Sequence, residues 1–183
     1  MTKHAGPSDA PAAAPANIRG RGDFLKDIHG KSDRTVAIVA AALLNTHLEQ
    51  LLTTFFVEDA GEVRALLGND RPLGNFGNRA RAAYVCGLIS KEEQEDLSAV
   101  SRIDEAFTRE MGELTFSDSP VNAWCLDMRL PNKIFLSGED RTPRRMYVFT
   151  VGLLLRQLAL RIESAARERR EPREPFSLVE VKK

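Results

Sequence analysis

Two long stretches of the chain repeat their apolar residues at three- and four-residue steps, the spacing that lines one face of an α-helix. In the first, Val36, Val39, Ala40, Leu43, Leu44, Leu48, Leu51, Leu52 and Phe55 form the stripe, and the Ala- and Leu-rich run predicts a helix over Ser32–Val57. Ser32 or Asp33 is placed to cap its first turn. In the second, Val148, Val151, Leu154, Leu155, Leu158 and Ile162 predict a helix over about Thr142–Arg170, with Pro143 in its first turn.

Shorter elements fill the space between. Asp23–Ile28 reads as a short helix closed by Gly30, and Glu62–Leu67 as another ending at Gly68. Asn69-Asp70-Arg71-Pro72 is a turn, and Leu73–Gly77 is a loop that becomes a helix near Asn78. Small residues dominate that helix, as close packing requires. Ser90 and Glu93 form a capping-box pair that opens a helix to about Arg109, with Leu97, Val100, Ile103 and Phe107 facing inward. Leu114–Pro120 is extended, Pro120 begins a short helix containing Trp124, Cys125 and Met128, and Leu130–Asp140 is a loop. Its apolar patch Ile134–Leu136 reads as a short strand or a docking segment. The sum is an all-α, single-domain helical bundle of about seven helices, two of them long.

Residues 1–17 are Ala- and Pro-rich without periodicity and are expected to be a disordered tail. The helical domain then covers 18–171, and 172–183 form a loosely docked or disordered tail. Lysine plus arginine and aspartate plus glutamate balance at 26 each, so no net charge draws the chain to nucleic acid or an acidic membrane. Cys86 and Cys125 stand alone, as expected of reduced thiols in a cytoplasmic protein. Val36–Leu44 and Val148–Leu155, the longest apolar segments, are too short to cross a bilayer, and the N-terminus lacks the apolar core of a signal peptide. No membrane association is expected.

Nucleophilic catalysis needs a Ser, Cys or Thr within hydrogen-bond reach of a histidine. His4 lies in the tail and His29 beside a glycine, which leaves His47, on a face shared with Leu44, Leu48 and Leu51. A hydrogen-bonded structural role is expected there. Metal-ligand spacings are absent, and the glycines of Pro-Leu-Gly-Asn-Phe-Gly-Asn form neither GxGxxG nor a Walker loop. Glu92, Glu93, Glu95 and Asp96 open a helix, where acids complement the dipole without any acid–base role. No catalytic, cofactor or metal residues are therefore assigned. Three arginine groups remain: Arg71, Arg79 and Arg81 beside the glycine loop, Arg141, Arg144 and Arg145, and Arg167, Arg169, Arg170 and Arg173.

The order Pro72-Leu73-Gly74-Asn75-Phe76-Gly77-Asn78-Arg79, then Tyr84-Val85-Cys86-Gly87-Leu88-Ile89, then Gln94-Glu95-Asp96-Leu97, resembles the mannitol operon repressor family. The likeness runs from about Ser32 to Leu126. It implies a wholly helical domain and a non-enzymatic transcriptional regulator that self-associates and acts through a regulatory protein partner. Arg71, Arg79 and Arg81 are then the expected interaction surface. A weaker resemblance, anchored on Phe107, is to HEPN-type ribonuclease domains. There Asp104 and Arg109 stand where that group carries arginine and histidine, which implies a catalytically inactive domain, with an Asp104–Arg109 contact along the helix as one use of the pair. A direct DNA-binding repressor is a third reading.

Overall fold

The computed structural model describes residues 21–110, 112–134 and 140–175. Among them the chain forms eight helices and no strand: α1 (Arg21–Asp27), α2 (Asp33–Phe55), α3 (Ala60–Leu67), α4 (Phe76–Val85), α5 (Lys91–Arg109), α6 (Val121–Leu126), α7 (Arg129–Ile134) and α8 (Pro143–Arg167). The expected tails at 1–17 and beyond residue 175 lie outside the described residues.

The helix ends follow from local chemistry. The Ser32 side chain accepts from Thr35 N–H to open α2, Asp59 caps α3 and Asn75 caps α4. Ser90 and Glu93 make both bonds of the capping box at the start of α5. At the end of α4, Gly87 takes φ +74°, Leu88 N–H donates to Ala83 O and Gly87 N–H to Tyr84 O, each at 2.9 Å. This Schellman turn reverses the chain into α5 and needs a residue that tolerates the left-handed region.

Ion pairs and hydrogen bonds fix how the long helices run. Arg144 at the start of α8 pairs with Asp33 at the start of α2, while Arg170 N–H just past α8 donates to Phe55 O at 2.8 Å. The helices α2 and α8 are therefore parallel. In contrast, α5 is antiparallel to both: Arg34 donates to Phe107 O at 2.5 Å, and Arg161 holds Glu93 at 2.8 Å. The shorter α4 follows α2, since Arg79 reaches Asn45 and Cys86 lies within electrostatic range of Arg170.

Leu44, Leu48, Leu51 and Leu52 of α2 are fully buried, as are Leu97, Val100 and Ile103 of α5 and Leu154 and Leu155 of α8. Each buried leucine contributes about 1.5–3 kcal/mol relative to exposure. Phe107 meets Phe116 edge-on and Phe116 meets Tyr147 at a tilt, at centroid distances of 5.2 and 4.8 Å, and the three close one end of this core. By length and composition α2, 23 residues long with an 18-residue stretch of mean hydropathy 1.3, is long and apolar enough to span a bilayer, unlike the shorter runs taken from sequence. Half of that stretch is packed inside the bundle, so the apolarity of α2 serves the core.

Two elements depart from expectation. Leu114–Pro120 is not extended throughout: the chain turns over Phe116–Pro120, where Asp118 N–H donates to Thr115 O at 3.3 Å. Leu130 does not open a loop; Arg129–Ile134 is helical, which excludes strand at Ile134, and residues 135–139 fall outside the described set. The cause is a cap from another helix: Asp96 of α5 accepts from Arg129 N–H at 2.7 Å and from Leu130 N–H at 2.9 Å.

Candidate functional site

The glycine loop before α4 is held by a buried arginine. Arg79 is 3% exposed. Its guanidinium donates to Leu67 O at 2.6 Å, to Leu73 O at 2.9 Å and to Asn45 Oδ1 at 2.8 Å, and pairs with Glu49 at 3.1 Å. It thus ties the end of α3, the loop and the middle of α2 into one unit. Asn78 adds a bond from its side-chain amide to Pro72 O at 2.8 Å. Gly74 is required by space: a Cβ there would lie 2.5 Å from Gly68 O and 3.0 Å from Arg71 O. Gly77, on the other side of Phe76, has no such neighbour, its nearest contacts being ordinary at 3.7 and 3.9 Å.

The expected surface trio is therefore divided. Arg71 and Arg81 are exposed, and Arg81 donates to Asn78 Oδ1 at 3.3 Å. Arg79 does not belong to an exposed surface, because its donors are taken by backbone carbonyls inside the fold. Beside Arg81, the first turns of α4 and the outer face of α5 border a groove of about 570 Å³ with both polar and apolar lining.

The acidic start of α5 does more than complement a helix dipole. Glu92 pairs with Lys133 at 2.8 Å, Glu95 with Arg129 at 3.1 Å, and Asp96 caps α7, so three acids fasten α7 to α5. The Lys133 hydrogen bond leads in holding the Glu92 carboxyl down at about 2, while burial pushes Asp96 above the usual carboxylate range. Glu93 turns inward instead, closing the capping box at Ser90 N–H and accepting Arg161 through both carboxylate oxygens.

His47 has the structural role expected of it. It is 1% exposed, and its Nδ1 bonds Leu43 O at 2.8 Å, while Nε2 is buried with no partner among the described residues. Burial lowers its pKa, the Leu43 bond opposing. Because the folded pKa lies below the unfolded one, the unfolded chain takes up the proton first. Stability is then expected to be full above the ordinary histidine pKa and to decline as pH falls through it. His47→Leu, which has no proton to bind, should flatten the difference in urea midpoint between pH 7.5 and pH 5.5. An unchanged slope in that variant would assign the pH dependence elsewhere.

Cys125 is buried and its thiol is pushed up to about 12 by burial and then by the charge of Asp33; burial also raises Cys86, against the pull of Arg170. Such thiols are poor nucleophiles. The described residues hold no group of three His, Cys, Asp or Glu side chains arranged for a metal. Asp104 and Arg109 do not meet: Arg109 pairs with Glu105, one turn away, at 3.3 Å. The i,i+4 geometry wins over i,i+5, as helix spacing requires.

A family model described as Mannitol repressor matches residues 27–144. The chain belongs to the mannitol repressor family. Two curated relatives, the mannitol operon repressors of Escherichia coli K12 and of Escherichia coli O6:H1, are each 29% identical over 96 residues. That match takes in 50% of this chain and 49% of each relative, so the chain spans about half the length of the curated relatives it matches. A solved structure, titled as the MtlR–HPr complex from Escherichia coli, superposes with a TM-score of 0.58 at 22% identity, covering 76% of this chain and 98% of that one. At that identity the likeness establishes the helical fold. Within this mannitol repressor family member, the arginine of the glycine-loop motif is thus an internal strut.

Proposed function

We propose that this chain is a non-enzymatic transcriptional regulator that works in the cytoplasm through contacts with other proteins, and that HPr is one of those partners. The observation that carries the reading is the shared fold with a family structure titled as a complex with HPr. Balanced charge supports protein contact over direct capture of DNA, whose phosphates reward a strongly basic face. Exposed Arg71 and Arg81 remain our candidates for the contact surface, with Arg79 positioning the loop that presents Arg71 and the start of the helix that presents Arg81. The proposal includes self-association, read by sedimentation. Calorimetric titration with HPr is expected to give saturable binding with a defined stoichiometry. Heats no larger than dilution across a millimolar range would remove HPr as a partner.

A further inference from the structure

We propose that Asp104 anchors a lysine or arginine side chain of the protein partner in the groove between the glycine loop and α5. The groove is walled by Phe76 and Gly77 on one side and by the Ser101–Glu105 turn on the other. Its other charged groups already have companions. Arg81 donates to Asn78 Oδ1 at 3.3 Å, Arg102 lies over the Trp124 ring at 5.3 Å, and Glu105 holds Arg109 at 3.3 Å. Asp104 has no hydrogen bond or ion pair among the described residues. It is half-buried, and its charge reaches far enough into the fold to help push the buried Tyr147 phenol up. An uncompensated carboxylate in that position carries a desolvation cost with nothing in the fold to offset it.

The shape of the groove agrees with a cation on an aliphatic stem. Gly77 has no side chain, and a Cβ there would point to within 3.9 Å of Ser101 Oγ, so the bare backbone leaves room in the groove that Asp104 also lines. Ser101 adds a hydroxyl acceptor to the same groove. A free amine gains little from a single half-exposed carboxylate in water. The same pair gains far more when a protein surface covers it and excludes solvent, which favours a macromolecular partner over a small cation.

This inference rests on the proposed function and uses HPr as its probe. Binding is measured by calorimetry for the full chain, for Asp104→Asn, for Gly77→Leu, which fills the groove while leaving the carboxylate, and for Glu62→Gln on α3 as a control. Expected is a loss of about tenfold or more for both groove variants and none for the control. The melting midpoint of Asp104→Asn should stay level or rise, because a half-buried charge has been removed. Should Asp104→Asn fold poorly, Gly77→Leu decides the question by itself. Groove variants that bind as tightly as the wild type would overturn the anchor and leave HPr as a partner. A wild type that fails to bind HPr would overturn both.

Discussion

Replacing the buried Arg79 with alanine should be the most damaging change at any of the arginines, lowering unfolding free energy by about 3–5 kcal/mol. Glu49, at 50% side-chain exposure, is screened and contributes little of this. The weight lies in Leu67 O, Leu73 O and Asn45 Oδ1, which lose a charged donor and are left inside the fold. Arg79→Lys should recover only a small part, since one ammonium cannot span three acceptors set around a planar fork. Urea unfolding gives the energy, and amide exchange should show the glycine loop opening well before the core. A loss under about 1 kcal/mol would mean that the loop stands without its strut.

The second large effect is expected at Gly74. A methyl group there meets Gly68 O at 2.5 Å and Arg71 N at 3.1 Å, all backbone, so no side chain can swing aside. Gly74→Ala should cost about 2–3 kcal/mol, whereas Gly77→Ala, three residues on and already helical, should stay within about 0.5 kcal/mol of wild type. The two substitutions are chemically identical, and the contrast between their thermal midpoints isolates the close approach. Equal midpoints would show that the turn from Gly68 to Gly74 relaxes freely.

Most of the architecture is readable from the chain because the signals are local. The α2 and α8 stripes, Ser90 with Glu93, and Gly87 each act within a few residues, and the helices begin and end where those residues put them. What stays hidden depends on partners far along the chain. The cap of α7 comes from Asp96, 33 residues upstream, so no periodicity or Ser/Thr signal marks that helix. Arg79 is visible as part of a family motif, and its charge alone suggests a surface role. The contrary hint is its position among Phe76, Ala80 and Ala83, all on buried faces of α4. The helix dipole explains Glu92, Glu95 and Asp96 with correct physics and an incomplete account, since it predicts nothing about Lys133 or Arg129.

The parallel pairing of α2 with α8 has a consequence for how the chain comes to be folded at all. Tyr147 donates to Ala37 O across 110 residues of sequence, and the two helices share their interface from that point to Phe55 and Arg170. Loop-closure entropy must therefore be met before this contact returns any energy, which slows folding relative to a bundle of neighbouring hairpins. On the ribosome, α2 can meet α4 and α5 as they emerge, but the part of its leucine stripe that faces α8 stays uncovered until that last helix has been made. Premature termination anywhere before α8 leaves that face exposed, the kind of apolar surface that holding chaperones bind.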